Sequence, residues 1–482
     1  MAEPTRSKYA AIIVTACGGA FLAMLDSTVT SLAVPDLHHD FPVATVPDLS
    51  WVISGYAVFL AALLAPAGRL ADVLGRRRLF VAGVALFTLA SLACALSPSL
   101  MTLVISRLVQ GAGAAAMIPA SLAILLMDGS PEKRPGSIAL WSTSGAVAAA
   151  IGPSIGGVLV EQFGWQSVFY INLPLGAVVI VAALRVLPAP QSPLTGKLPD
   201  PFGTLCLALG IGGLTFGVTQ GGTWGWLDGR ILASGLLGLA ALLVAVLRSR
   251  RHPVPAIEIS LWSNRNFAAV NVVSLFYGAA QYSWMLGSIF YLTEIWGYTE
   301  LQAGVANTPG AFAASVAALG LSRIVGKIGG PRTVTMVGLA FFAACGLWFS
   351  FGLIDHAAFL TFWLPAALIA GFGMGAATMG TSATAAMSAP PTRFAGSSGL
   401  NTASRQFGGA LGIAVMAVIL QQYTGADGVR TVDAYSHMFL FCTIMMIAGL
   451  LVTAVFIKFR APAAAPAAAP AKPAEAQAVT TD

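Results

Sequence analysis

The chain has 482 residues, of which 57% are hydrophobic and only 9% charged, and its mean hydropathy is +0.81. A soluble globular domain carries about a quarter charged residues, so this composition excludes one and predicts a polytopic membrane protein. The net charge of +6 and pI near 9.2 would suit nucleic acid, but the cations sit in short loops between apolar runs. Membrane topology accounts for them there, and no nucleic-acid partner is expected.

A membrane-crossing helix needs about 20 mainly apolar residues. By that measure the sequence predicts an all-α protein of about fourteen spans, roughly at 10–33, 49–68, 79–97, 101–127, 138–160, 166–187, 202–220, 230–248, 267–293, 302–323, 333–353, 359–382, 397–420 and 437–458. The polar lead Met1–Lys8 shows no signal-peptide cleavage pattern, so the first span is expected to be retained. Spans 10–33 and 267–293 carry enough polar residues to look amphipathic, as cavity-lining helices would. With this count, all but four of the 25 Lys and Arg fall on one face; Arg230 and Arg430 fall on the other, and Arg107 and Arg405 within spans. Such cations accumulate on the cytoplasmic side. The expectation is therefore a multi-pass protein of the cytoplasmic (inner) membrane with both termini in the cytoplasm, embedded in lipid and acting as a monomer.

Between the runs Trp51–Ala67 and Leu79–Leu96 lies a polar seam, Gly68-Arg69-Leu70-Ala71-Asp72-Val73-Leu74-Gly75-Arg76-Arg77-Arg78. It has a worn echo in Ser322-Arg323-Ile324-Val325-Gly326-Lys327-Ile328-Gly329, and Gly111-Ala112-Gly113 is echoed by Gly371-Phe372-Gly373. Repeated halves around a midplane site are the usual plan of secondary transporters. The predicted division is an N-terminal six-helix bundle (1–187), two inserted helices with linkers (188–266), a C-terminal six-helix bundle (267–460) and an Ala/Pro-rich tail (461–482) with too little to bury to be ordered.

Asp26 is the one acid placed deep in the membrane; a carboxylate there is costly and usually faces a cavity or a partner. It could exchange a proton, or be a paired structural group near the rim. Arg107, six residues into the fourth span, cannot in practice lose its proton. It could hold a fixed charge that tunes a nearby acid, with Gln110 and the glycines of the same stretch, or snorkel to the outer face. Gly152, Pro153, Gly156 and Gly157 combine a GxxxG pair with a helix-bending proline, a tightly packed seam suited to a gate. In the polar seam, Gly68 and Gly75 permit tight helix ends, and Asp72, beside Arg69, is placed to take a cation or a helix N-terminus such as Gly396–Gly399. Asp128 is a candidate partner for Arg76, so the group would latch one conformation. Asn271, Tyr277, Gln281, Tyr282, Trp284 and Asn401 could line a pocket, although interhelical hydrogen bonds would also explain such residues; Arg405 is expected at the cytoplasmic closure. The five cysteines read as packing residues. The sequence holds no Walker-type loop, metal-spaced cluster or filter-like repeat, so no cofactor, metal or catalytic site is expected.

Together these stretches resemble the major facilitator superfamily, specifically its fourteen-helix drug:proton antiporter branch. Gly68–Arg78 resembles the loop signature between helices two and three, Arg107–Gly113 the helix-four motif, Gly145–Gly157 the helix-five antiporter motif and Leu25–Pro35 the helix-one motif; Trp165–Pro174 also fits. The resemblance spans residues 10–458, departing at Ser31, where Asn is frequent, and at Gln166, where Arg is. It implies proton-driven export of small amphipathic drugs or antibiotics by alternating access. Asp26 would be the proton or substrate site, Arg107 the coupling residue, Gly152 and Pro153 the hinge, and Asp72 the latch. Span 359–382 has no acid, so a neutral or monocationic substrate is expected. The alternatives are a dedicated exporter of one native metabolite or lipid-like product, and a membrane sensor that moves nothing.

Overall fold

The computed structural model describes residues 6–128, 134–187, 198–326, 328–389, 394–423 and 430–458. Among them are fourteen long helices and no β-strand: α1 (Arg6–Asp40), α2 (Val46–Leu74), α3 (Arg76–Ala95), α4 (Leu100–Asp128), α5 (Arg134–Phe163), α6 (Ser167–Val186, with a turn at Ile171), α7 (Pro201–Trp224), α8 (Gly229–Ser249), α9 (Arg265–Glu294), α10 (Glu300–Ile324), α11 (Gly330–Gly352), α12 (Phe359–Met387, opening with a wide π turn), α13 (Phe394–Gln422) and α14 (Val432–Phe456). Thirteen are long and apolar enough to cross a membrane. The other, α9, has the length, but Asn271, Gln281 and its tyrosines lower its hydropathy. In hydrocarbon every backbone group must be satisfied within the chain, which is why an apolar sequence of this kind resolves into helices. The tail 461–482 and residues 188–197 of the first linker lie outside the described residues.

Helix starts follow local chemistry. Thr45 and Asp48 form a capping box on α2, Thr299 and Gln302 one on α10, and Asn264 Oδ1 accepts from the Asn266 and Phe267 amides at the start of α9. α1 outruns its expected end at residue 33 because Pro35 is accommodated and the helix continues through the polar His38–Asp40.

The packing repeats. In the first six helices α1 packs on α5, α2 on α4 and α3 on α4; in the last six, α9 packs on α13, α10 on α12 and α11 on α12. The glycine echo takes part. A Cβ on Gly111 would meet the Tyr56 carbonyl on α2 and one on Gly113 the Phe87 backbone on α3. In the same way Gly371 abuts Gly310 on α10 and Gly373 abuts Phe342 on α11. Two seams join the six-helix sets, α2 with α13 and α5 with α10, and the same correspondence exchanges them.

Gly75 is the whole turn between α2 and α3, with φ 90° and its N–H bonded to Ala71 O at 3.1 Å. Its counterpart Gly329 has φ 92°. Side chains seldom adopt such values, so Gly75→Ala is expected to cost about 1–3 kcal/mol, read as a lower midpoint in thermal unfolding; an unchanged midpoint would show that the turn relaxes freely.

The inserted pair differs. α7 lies against both α2 and α13. It touches each side through a hydrogen bond, Gln220 Nε2 to Asp48 Oδ1 (2.9 Å) and Thr223 Oγ1 to Gln421 Oε1 (3.2 Å). α8 packs on α7 and turns Leu236, Leu237 and Leu243 outward.

Candidate functional site

α1, α3, α4 and α6 converge on Asp26, which is fully buried. Arg107 NH1 donates to its Oδ2 at 2.7 Å, while Gln110 Nε2 and Asn172 Nδ2 each donate to its Oδ1 at 2.8 Å. The partners are themselves held. Arg107 Nε donates to Val52 O (2.7 Å), and Arg107 NH1 also donates to Gln110 Oε1 (2.6 Å). Its guanidinium lies over the Tyr56 ring, 4.5 Å from the centroid, with Phe169 at 5.7 Å. Ser91 Oγ accepts from both amides, at 2.7 Å from Gln110 and 3.2 Å from Asn172, and donates to Phe87 O. All four polar partners of the carboxylate cluster, Arg107, Gln110, Asn172 and Ser91, are fully buried.

A buried ion pair offsets its desolvation only when its geometry is good and its other polar atoms are satisfied. Both conditions hold here with one exception: Asn172 Oδ1 is buried without a hydrogen-bond partner. The cluster therefore surrounds a carboxyl group with three donors, next to an acceptor that is not in use.

Sequence reasoning names Asp26, Arg107 and Gln110, and the structure brings them together, with Arg107 buried against Asp26 and Gln110. It places Asp26 inside the first bundle instead of on an open cavity wall, because the donors that stabilise the carboxylate come from that bundle's own helices. Asn172, Ser91 and Tyr56 were not singled out. A single amide, hydroxyl or phenol in a span reads as ordinary packing, and Asn172 is 146 residues from Asp26.

The hinge residues divide between two contacts. A Cβ on Gly152 would lie 2.0 Å from Thr28 Oγ1, and one on Gly156 2.8 Å from Leu32 Cδ1, so this pair seats α5 on α1. Gly157 faces the Leu301 backbone and the Pro153 carbonyl faces Gly304, which brings α5 against α10 of the other half. The same seam carries Ser154 Oγ to Thr308 Oγ1 at 2.7 Å, and Glu161 Oε2 accepts from Thr299 Oγ1 (3.0 Å) and from Leu301 N (3.3 Å). These contacts lie toward the membrane face opposite to that of Arg6 and Lys458.

In the polar seam, Gly68 packs at Pro119, Arg76 NH1 donates to Ala123 O at 2.8 Å and Arg77 NH2 to Leu184 O at 2.7 Å. The side chains of Arg69, Asp72 and Asp128 lie outside the described residues. Several of the candidate pocket residues make interhelical hydrogen bonds. Asn271 accepts from Ser404, Asn401 donates to Ser274, and the Tyr277 hydroxyl is bonded to Met374 O and Thr378. Trp284 is stacked on Phe349 at 5.0 Å. Gln281 and Tyr282 are half-buried, and the Tyr282 hydroxyl meets Gln406 and reaches Ser27 on α1. Arg405 lies within α13, where its backbone carbonyl abuts Gly278 on α9. No group of three or more metal-ligating side chains occurs among the described residues.

The Major Facilitator Superfamily model matches residues 16–286 and again 270–481. The chain is 32% identical over 416 residues to the methylenomycin A resistance protein of Streptomyces coelicolor, covering 85% of each. It is 31% identical over 417 residues to the multidrug resistance protein Stp of Mycobacterium tuberculosis, covering 85% of this chain and 75% of that one. Among solved structures, a POT family transporter in complex with 5-aminolevulinic acid superposes with a TM-score of 0.70 at 13% identity, over 94% of this chain and 97% of that one, a likeness of fold alone. Matches over this much of the sequence, with the repeated packing above, make this a multi-pass membrane transporter and not an enzyme: the chain belongs to the Major Facilitator Superfamily.

Proposed function

We propose that the protein exports hydrophobic, neutral or monocationic drugs or antibiotics across the cytoplasmic membrane in exchange for protons, by alternating access. The observation that carries this reading is the sealed cluster of Asp26, Arg107, Gln110 and Asn172, an ionisable group at bilayer depth with its charge balanced by one fixed cation. The names of the relatives, a resistance protein for one antibiotic and a multidrug resistance protein, support the cargo class. The arginine distribution supports placing both termini in the cytoplasm.

The chemistry runs as follows. With Asp26 ionised, Arg107 and the two amides hold the carboxylate. A proton arriving on Asp26 removes the charge that Arg107 answers and creates an O–H in need of an acceptor. The unused Asn172 Oδ1, brought round by rotation of its amide, supplies one. The released guanidinium then favours a different arrangement of α1, α2 and α4. Tyr56, whose ring covers Arg107, and Tyr282, which reaches Ser27, lead from this cluster toward the other bundle. Each proton moving inward supplies about 2.3 kcal/mol per 100 mV of membrane potential.

The test is flux in proteoliposomes under an imposed pH gradient, with a panel of amphipathic antibiotics. Uptake that collapses the gradient is expected, and none with Asp26→Asn. If no compound moves in the wild type, or the variant matches it, the proposal fails. A second reading, a dedicated exporter of one compound, is favoured by the single-antibiotic name of the Streptomyces coelicolor relative; one responder in the panel would support it.

A further inference from the structure

At the foot of the α7–α8 hairpin, on the face that carries Arg6 and Lys458, lies an open cavity of about 480 Å³. Its walls are of two kinds: Phe202, Val244 and Leu247 are apolar and exposed, while Arg248, Arg251 and His252 are basic. Arg250 adds another cation to the same turn.

Among the described residues, the acid paired with this basic wall is Asp200, and it is already engaged. Arg248 Nε donates to Asp200 Oδ2 at 2.6 Å. Burial raises the Asp200 carboxyl, but the Arg248 hydrogen bond, the Gly203 amide and the charges of Arg248 and His252 outweigh that and hold it below the usual carboxylate range. Asp200 is therefore ionised and balances one cation. Among the described residues, Arg250 and Arg251 have no acidic partner. His252 uses Nδ1 on the Val254 backbone, which fixes its ring and leaves Nε2 for another partner. The Arg248 guanidinium sits 5.3 Å from the centre of the Phe202 ring, joining the basic and apolar walls.

A soluble anion would need only the basic wall. The apolar wall runs from it up the outward side of α8, where leucines face the membrane. One ligand chemistry uses both at once. We propose that this groove binds an anionic glycerophospholipid, its phosphate on Arg251 and His252 and an acyl chain along Phe202, Val244 and Leu247. Juxtamembrane cations contribute about 1 kcal/mol each toward anionic lipid, so each arginine removed should weaken binding by about fivefold.

The experiment measures thermal midpoints of the purified full chain in detergent, titrated with phosphatidylglycerol, with phosphatidylcholine of the same chains, or with inorganic phosphate. Phosphatidylglycerol is expected to raise the midpoint saturably, and the other two are not. Arg251→Gln combined with His252→Gln should move the titration to at least fivefold higher lipid, while Arg323→Gln, on the same face away from the groove, should leave it in place. Leu247→Glu, which adds a carboxylate without removing a cation, should weaken the response similarly and guards against misfolding of the double variant. A response to phosphate alone, an equal response to phosphatidylcholine, or an equal loss with Arg323→Gln would overturn the assignment. Proton coupling plays no part in these readouts.

Discussion

Asp26→Asn should do two things in one protein: reduce proton-driven export to the level of empty vesicles, and lower stability by about 3–5 kcal/mol. The second effect follows from the geometry around the carboxylate. Arg107 is fully buried, and among the described residues its ion-pair partner is Asp26. Asparagine keeps the shape but leaves the guanidinium unanswered, and its own amide hydrogens meet the donors of Gln110 and Asn172. Replacing both members removes the unpaired charge. Asp26→Asn with Arg107→Gln is therefore expected to recover most of the lost stability without recovering export. Thermal unfolding and flux on the three variants separate the possibilities. If the single variant is as stable as the wild type, the cluster is not the tightly coupled pair described; if the double variant still exchanges protons, coupling resides elsewhere.

The second large effect is expected at the α5–α10 seam. Ser154 and Thr308 face each other there at 2.7 Å between hydroxyls, so cysteines at both positions should form a disulfide under mild oxidation. If export requires the seam to part, the cross-linked protein should transport nothing and regain activity on reduction. Four of the five native cysteines are buried, and Cys17 is replaced as a precaution. Gly304→Leu is the converse. A Cβ at Gly304 would lie 2.1 Å from Pro153 O, so the larger side chain should hold the seam apart, prevent the cross-link and also stop export. Full activity in the oxidised protein would mean that these helices stay joined throughout the cycle.

Much of this was legible in the sequence because bilayer physics leaves few options. Runs of about 20 apolar residues must be helices, and a lone Asp26 and Arg107 within such runs had to be answered by something. The glycine echoes marked the repeat correctly, since Gly111 and Gly371, and Gly113 and Gly373, touch corresponding neighbours. What could not be read was which polar groups meet. Asn271, Tyr277, Tyr282 and Asn401 all look suitable for a pocket in the sequence, and each closes a hydrogen bond within its own bundle. Conversely, Asn172 stands in the sequence only as one residue of the stretch Trp165–Pro174. At the start of that stretch Trp165 donates to Asp40 at 2.7 Å and to Asp36 at 3.1 Å, and further along Asn172 donates to Asp26. Sequence spacing carries no information on contacts between helices so far apart along the chain.

The attachment of α7 to both halves limits how the molecule can flex. Gln220 grips Asp48 while Thr223 grips Gln421, so parting α2 from α13 at that end must break at least one bond, worth about 1 kcal/mol net, and uncover the apolar side of α7. Among the described residues, no helix straps the α5–α10 flank in this way. The two flanks of the protein are therefore mechanically unequal, as the spine of a book differs from its fore-edge, and lipids pressing on them meet a reinforced wall on one side only.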